Sequence, residues 1–269
     1  MFPDLDTLMK VLNEECPFSL AEEWDNSGLQ VGTGEGVIKK ILVALDPSRG
    51  AVNKAVSINA QLLITHHPLI FRKISTVNSK KYPGNVIKEA IKNDIAIVAM
   101  HTNLDSARSG LNDILAEMLN LDNVEVLDPK EPQCCNGFGL GRIGDLHDAV
   151  NFSSYLTKVK KIFNAKNLRF TGSDNTLIKR VAVVGGSGGD MIPAAAEKGA
   201  DLLITGDIGH HDALTAESCG INVIDAGHFN TERTALVLYT KKMEEIFHKN
   251  NMDVTLEIYS GEVNPLRDI

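Results

Sequence analysis

Short apolar runs alternate with segments of helical periodicity along most of the chain. A bounded apolar run such as Leu62–Thr65 predicts a buried strand, and apolar residues that recur every three or four positions predict an amphipathic helix. Strands that alternate with helices at this spacing predict βαβ units and a mainly parallel sheet. The predicted strands are 38–45, 61–65, 95–100, 138–143, 167–170, 181–184, 201–205, 221–225 and 254–259, and the predicted helices are 5–15, 51–59, 85–93, 111–119, 150–163, 191–198, 211–218 and 231–248.

This pattern occurs twice. When the chain is shifted by 140 residues, residues 40–65 align without a gap with residues 180–205, and the run Leu-Leu-Ile-Thr is identical in both. Two βαβ units can acquire similar apolar runs independently, but four consecutive identities favour an internal duplication. The sequence therefore predicts an α/β fold of two similar lobes, residues 1–125 and 126–269, each a mainly parallel mixed sheet with flanking helices. The terminal segments could exchange between the lobes.

Composition and charge narrow the class of protein. Apolar residues make up 43% and charged residues 23% of the chain, which excludes disorder. No apolar run approaches the ~20 residues of a membrane helix, and the first ten residues do not resemble a signal peptide. The net charge of −8 argues against nucleic-acid binding driven by overall charge. Cys16, Cys134, Cys135 and Cys219 form no CxxC pair, which predicts reduced thiols in the cytoplasm.

Histidines gather where predicted strands end. Ligand sites of open α/β sheets lie beyond the carboxyl ends of the strands. Neutral imidazole together with carboxylate suits Zn, Fe, Mn or Ni better than Ca or Mg. A single histidine at a strand end is most often a hydrogen-bonded structural residue, but four clusters at equivalent places favour a metal site. Six of the eight histidines lie there: His66, His67, His101, His210, His211 and His228.

The spacing of the acids repeats as well. His101-x-x-x-Asp105 corresponds in this reading to His228-x-x-x-Glu232. A carboxylate such as Glu232 can bridge two metal ions, and the water that they share becomes a nucleophile near neutral pH. His101 is a candidate metal ligand, a residue that orients a ligand, or a proton donor.

The adjacent His66 and His67 add to this pattern. Pro68 restricts His67 to extended geometry, so that the two imidazoles could reach two ions about 3.5 Å apart. That is the spacing of two-metal hydrolytic sites. His210 and His211 open a predicted helix, where capping or contact with a metal ligand explains them nearly as well as a direct role.

Two further segments are candidates for ligand binding. Gly186, Ser187, Gly188 and Gly189 lie between a predicted strand and a predicted helix, where exposed amides could bind an anion. The alternative is a tight turn in which Asp190 caps the helix. The segment 24–28, which contains the only tryptophan, is a polar turn that could line a pocket.

The first repeat also carries 13 extra residues, around 71–84. They include four basic residues and are predicted to form a mobile flap near the site. These basic residues are Arg72, Lys73, Lys80 and Lys81.

Five motifs together resemble the NIF3-like family of dinuclear-metal hexameric proteins, some of which are labelled type 2 GTP cyclohydrolase I. They are WDNSGLQVG at 24–32, THHPLIF at 65–71, HTNLD at 101–105, GLGRIG at 139–144 and GHFNTE at 227–232. The resemblance implies a toroidal homohexamer built as a trimer of dimers, with two divalent ions per subunit, most simply Zn, Fe or Mn. It implies the ligands His66, His67, Asp105, His228 and Glu232, and it gives His101 and His211 roles in catalysis or in orienting ligands.

The predicted function is a two-metal-dependent hydrolase that acts on a nucleotide or a related phosphate compound, in the manner of a GTP cyclohydrolase. The alternative is a non-enzymatic metal-binding ring with a regulatory, nucleic-acid-binding or protein-binding role. A redox-active di-iron site is a third hypothesis. No motif in the sequence identifies a site for the guanine base.

Overall fold

The structure is a computed structural model that describes residues 1–32, 36–130 and 137–267. Cys134 and Cys135 lie outside the described residues. None of the helices formed by the described residues combines the length and apolar character needed to cross a membrane. The helices are α1 Leu5–Glu15, α2 Arg49–Ser57, α3 Gly84–Lys92, α4 Thr102–Ser106, α5 Leu111–Leu119, α6 Phe152–Ile162, α7 Ile192–Glu197, α8 His210–Cys219 and α9 His228–Lys249. The strands are β1 Gly28–Val31, β2 Lys40–Ala44, β3 Leu62–Thr65, β4 Ala96–Ala99, β5 Asp122–Pro129, β6 Gly139–Asn151, β7 Arg169–Thr171, β8 Leu177–Ser187, β9 Leu202–Gly206, β10 Asn222–Asp225 and β11 Thr255–Ile258.

The chain divides into two compact units. The first comprises Met1–Leu104 with Leu236–Val263, and the second comprises Asp105–Ala235 with Asn264–Ile269. The lobe boundary predicted after residue 125 falls inside β5. That strand pairs with β6, and α5 packs against β6 and β8, so residues 105–125 are held within the second unit.

The first unit is built on a five-stranded sheet with the order β1-β4-β3-β2-β11. Strands β11, β2, β3 and β4 are parallel, and β1 joins the edge in the antiparallel sense. Every residue of β3 and β4 is buried, as expected for central strands covered on both faces. The apolar residues of α2 and α3 pack into the same core, so the sheet positions whatever follows its strand ends.

The second unit is built on a six-stranded sheet with the order β5-β6-β8-β9-β10-β7. The parallel strands β8, β9 and β10 form its centre, and β5, β6 and β7 are antiparallel. Helices α7 and α8 contribute Ile192, Ala195 and Ala216 to its core. Both units are therefore α/β sheets with flanking helices, which confirms the predicted fold class.

Strand register reproduces the sequence repeat. Ile41 pairs with Leu62 between β2 and β3, and their counterparts Val181 and Leu202 pair between β8 and β9. One side chain also repeats its bonds: the Gln61 amide oxygen accepts the backbone N–H groups of residues 39 and 40, and the Asp201 carboxylate accepts those of residues 179 and 180. The repeat is thus a shared backbone frame as well as a similarity of apolar residues.

Several element boundaries differ from the predictions for physical reasons. Strands β1 and β5 were not predicted, because both are sheet edges: β1 is only four residues long, and most residues of β5 are exposed. Strand β6 is 13 residues long, because antiparallel pairing with β5 and β8 extends it past the apolar core. Helix α9 begins at His228, three residues before the predicted start.

Candidate metal centre

His66 and His67 follow β3 in the first unit, and each ring is held by its Nδ1 atom. His66 is 1% exposed, and its Nδ1 lies 2.9 Å from the carbonyl oxygen of Met100. The Nδ1 of His67 lies 2.8 Å from the Oδ1 of Asp46, two residues past the end of β2. A carbonyl can only accept, so His66 donates its Nδ1–H, and the Nε2 atom carries the ring's lone pair.

His101 follows β4 and is held in the same way by Asp25. The carboxylate of Asp25 lies 2.8 Å from the Nδ1 of His101 and also accepts hydrogen bonds from the hydroxyls of Ser27 and Thr102. Burial raises the pKa of Asp25, but the hydrogen bond with His101 and the charge of that ring outweigh it, so the pKa is lowered overall. Asp25 is therefore an ionised acceptor that fixes the tautomer and orientation of His101.

These three imidazoles form one group. Ring centroids of His66 and His67, and of His66 and His101, are each 5.2 Å apart, and those of His67 and His101 are 5.6 Å apart. One ring nitrogen from each residue lies within 4.8 Å of the others. Imidazoles whose Nδ1 atoms are bound to oxygen acceptors are typical of zinc and iron ligands. The donor set of the first unit therefore fits a transition-metal ion.

The second unit supplies an imidazole and a carboxylate from the first turn of α9. His228 Nε2 lies 3.0 Å from the Oε2 of Glu232, and His228 Nδ1 lies 2.7 Å from the Oδ2 of Asp207, which directly follows β9. Burial lowers the pKa of His228, but hydrogen bonds and charges of Glu232 and Asp207 outweigh it and raise the pKa to about 9. An imidazole enclosed by two carboxylates is a site built for positive charge.

Gly186 makes room for Glu232. It has φ +70°, and a Cβ at this position would collide with the Glu232 carboxylate. Its amide donates to the hydroxyl of Thr231, 3.1 Å away, and the amide of Gly185 donates to the side chain of Asn112, 2.9 Å away. The glycine at 186 is thus explained by the approach of Glu232.

Asp105, the first residue of the second unit, is buried in α4. Its carbonyl oxygen accepts from the Asn112 side chain, the same amide that binds Gly185. Asn112 therefore links the segment carrying Asp105 to the end of β8.

The remaining predicted site residues have other surroundings. His211 is exposed in the first turn of α8, with its ring 5.5 Å from that of His210. Ser187 is the last residue of β8, and a Cβ at Gly189 would meet the carboxylate of Asp212. The helix that follows, α7, has only six residues. Carboxylates beside Gly186 and Gly189 make this loop electrostatically unfavourable for an anion.

The predicted alignment of the two H-x-x-x-acid spacings is one residue out of register. Thr65 pairs with Ala99, whereas its counterpart Thr205 pairs with Asp225. By strand register, His101 therefore corresponds to Gly227 and not to His228. The two H-x-x-x-acid spacings are therefore similar in sequence but do not occupy equivalent positions in the two sheets.

Sequence reasoning missed the three acids that orient the imidazoles. They are Asp25, Asp46 and Asp207. Asp46 and Asp207 lie within two residues of a strand end, the same kind of position that distinguishes the histidines in the sequence. Asp25 precedes β1, and only its place in the polar turn 24–28 pointed to it.

Comparison with known proteins gives consistent matches across the chain. A family model described as Duf34/NIF3 (NGG1p interacting factor 3) matches residues 3–265. A Clostridium perfringens protein named GTP cyclohydrolase 1 type 2 homolog is 39% identical over 241 residues, which covers 90% of this chain and 91% of that protein. A Helicobacter pylori protein named GTP cyclohydrolase 1 type 2 is 36% identical over 266 residues, covering 97% and 98%.

Solved structures also match nearly the whole chain. A hypothetical protein from Staphylococcus aureus superposes with a TM-score of 0.93 at 30% identity, covering 99% of both chains. The structure of reduced HcgD from Methanocaldococcus jannaschii superposes with a TM-score of 0.81 at 33% identity, covering 97% of this chain and 99% of that one.

Proposed function

Because the chain belongs to the Duf34/NIF3 family, we propose that it is a two-metal-dependent hydrolase that acts on a nucleotide or a related phosphate compound. The observation that carries the proposal is the way in which the imidazoles are held. His66 donates Nδ1–H to a carbonyl, and His67, His101 and His228 each have Nδ1 against a carboxylate. Held by Nδ1, the imidazoles of His66, His67 and His228 have Nε2 as the atom that can bind a metal ion, an arrangement that serves metal binding.

The proposed ligands are those that the family resemblance implies. The first unit contributes imidazole nitrogen, and the second contributes imidazole nitrogen and carboxylate oxygen, a donor set that suits Zn, Fe or Mn. When bound, such ions supply Lewis acidity and an activated water. The ligands are His66, His67, Asp105, His228 and Glu232.

His101 and His211 are the proposed proton-transfer residues. The ionised Asp25 holds the proton on Nδ1 of His101, so Nε2 is the atom that takes or delivers a proton. His211 is exposed at the start of α8, so its ring is open to solvent.

The finer proposal is that the substrate is GTP. It rests on the printed names of the relatives from Clostridium perfringens and Helicobacter pylori. In a reaction of this type one water molecule opens the imidazole ring of guanine at C8, and a second hydrolyses the resulting formamide, so that C8 leaves as formate. Incubation of the metal-reconstituted protein with GTP should therefore release formate.

The test compares two variants of one helix. Metal is removed by chelation, Zn, Fe(II) or Mn is restored, and formate release from GTP is measured. Glu232→Gln should lower metal-dependent turnover by roughly two orders of magnitude or more. Glu244→Gln, an exposed residue of α9, is the matched control and should keep full turnover. Turnover that persists in Glu232→Gln, or that needs no metal, contradicts the proposal.

A second proposed role is a non-enzymatic metal-binding ring that binds a protein or nucleic acid. The family description, NGG1p interacting factor 3, names a protein interaction and favours this alternative. The proposed assembly is a homohexamer arranged as a trimer of dimers, which sedimentation analysis can test. If this alternative holds, the Glu232→Gln variant still binds the protein or nucleic acid that the wild type binds. GTP is then not turned over, whichever metal ion is added.

A further inference from the structure

Two large aromatic side chains lie exposed beside the imidazole group of the first unit. Trp24 is 60% exposed and Phe71 is 47% exposed, and their ring centroids are 5.9 Å apart in an edge-to-face arrangement. Aromatic rings are mostly buried in folded proteins, because their apolar faces are poorly solvated. A pair held together in water is thus a feature that folding alone does not explain.

Two polar side chains that follow Trp24 in the chain anchor the segment that carries Phe71. The Asn26 amide donates to the carbonyl oxygen of Ile70 at 2.7 Å, and the backbone N–H of Ile70 donates to the side chain of Gln30 at 3.1 Å. Ile70 directly precedes Phe71. Both hydrogen bonds therefore anchor the backbone next to Phe71 to the segment that follows Trp24, so a ligand that binds there has less of this backbone to order.

Both rings of the pair lie close to the ring of His101. Ring centroids are 6.0 Å apart for Trp24 and His101, and 6.2 Å apart for Phe71 and His101. His101 is itself part of the imidazole group with His66 and His67. A flat ring stacked on Trp24 would therefore lie next to the proposed proton-transfer residue.

The positive charge beside the aromatic pair indicates which group the ligand carries in addition to a flat ring. Arg72 and Lys73 follow Phe71 directly, and both are exposed. In a chain of net charge −8, two adjacent cations at a site attract an anion where most of the surface would repel one. The aromatic faces and the two cations thus suit a planar ring that carries a phosphate.

We propose that Trp24 and Phe71 form a stacking site for the heteroaromatic ring of a phosphorylated substrate, with Arg72 and Lys73 binding its phosphate. The inference rests on the proposed function and adds to it the residues that recognise the base. Stacking accepts any flat heterocycle, because every such ring has a π-face. This explains why the sequence contains no hydrogen-bonding motif for guanine.

The only tryptophan of the chain provides a direct readout. Guanosine monophosphate is titrated into the full-length protein in the presence of a chelator, and Trp24 fluorescence is measured. We expect saturable quenching by guanosine monophosphate and none by ribose 5-phosphate, which lacks the ring. Equal responses to both compounds, or no response to either, would overturn the proposal. A fall in Trp24 fluorescence with rising protein concentration would also overturn it, because a second copy of the chain, and not the nucleotide, would then cover Trp24.

Variants test each part of the site. Phe71→Ala should weaken binding of guanosine monophosphate at least about fivefold. Val77→Ala, 58% exposed in the same segment, is the control and should bind as the wild type does. The double variant Arg72→Gln with Lys73→Gln should weaken binding of guanosine monophosphate but leave that of guanosine unchanged. Unchanged binding in Phe71→Ala, with an unaltered melting temperature, would contradict the assignment.

The chelator separates this inference from the proposed hydrolase activity. Ring binding without turnover on added metal would refute the hydrolase and leave the stacking site standing. Metal-dependent turnover of GTP without quenching of Trp24 would refute the stacking site and leave the hydrolase standing.

Discussion

The two repeated regions, residues 40–101 and 180–228, share a backbone frame but differ just past their strands. In the first, Asp46 after β2 orients His67 after β3. In the second, Asp207 after β9 orients His228 after β10. Both regions place an acid after one strand to hold an imidazole after its parallel neighbour, but the second does so one strand further along the sheet.

This difference shows that the backbone pairing of the strands and the side chains beyond the strand ends make separate demands on the sequence. Ladder hydrogen bonds are made by the backbone, so strand register tolerates any residue beyond the strand ends. His66 and His67 occupy the positions held by Gly206 and Asp207 in the other repeat, and the register around them is unchanged. The two repeats thus share one backbone frame but carry different side chains beyond their strand ends.

The largest expected effect tests whether the frames are energetically equal. Ile64 and Ile204 occupy equivalent central positions and are 2% and 0% exposed. Ile64→Ala and Ile204→Ala should each cost about 2–5 kcal/mol of stability, because each leaves a cavity between packed layers. Chemical denaturation measures the loss in free energy of unfolding, and hydrogen exchange reports it separately for each unit. A cost below about 1 kcal/mol for either variant would show that the frames are not equivalent.

A second, smaller effect tests whether the orienting acids play the same part in both regions. Asp46→Asn and Asp207→Asn should each weaken metal affinity about 10–100-fold, because an amide holds the imidazole less firmly than a carboxylate does. Competition with a chromogenic chelator gives the affinity. Asp174→Asn, an exposed aspartate, is the control. If only one of the two substitutions weakens metal affinity, the two acids do not play the same part in the two regions.

The smallest effect concerns Asp25, which orients His101 and has no counterpart in the second repeat. Its folded pKa is lowered from the ordinary value of 3.8, so its ionised form stabilises the fold above about pH 4, and this contribution is lost as the pH falls through the folded pKa. Asp25→Asn should therefore cost about 1.5 kcal/mol at neutral pH. The difference in free energy of unfolding between the wild type and Asp25→Asn should become smaller as the pH is lowered. Urea denaturation as a function of pH measures it, and a gap that widens in acid would contradict the assignment.

Most of the frame could be predicted from the sequence, because buried parallel strands are continuous apolar runs. Leu62–Thr65 and its repeat were identified from such runs alone. The strands that were not predicted, β1 and β5, lie at sheet edges. β1 has only four residues and exposes Leu29, and most residues of β5 are exposed, so neither forms a buried apolar run. The boundary between the units could not be placed, because it depends on how α5 packs against β6 and β8.

The candidate site was predictable to a different extent. The histidines stand out because imidazole is rare and strand ends are easy to find. The carboxylates that hold them do not, because aspartate is a common turn residue and only contact geometry separates Asp25 from other turn aspartates. The close approach of Gly186 to Glu232 could likewise not be predicted, because only the folded structure brings the two together.

The most direct test of the central claim is anomalous X-ray diffraction from crystals of the metal-loaded protein. The account predicts two ions about 3.5 Å apart. Their nitrogen ligands should be the Nε2 atoms of His66, His67 and His228, and their carboxylate ligands should come from Asp105 and Glu232. Anomalous density elsewhere in the molecule, or ions bound through Nδ1, would contradict it.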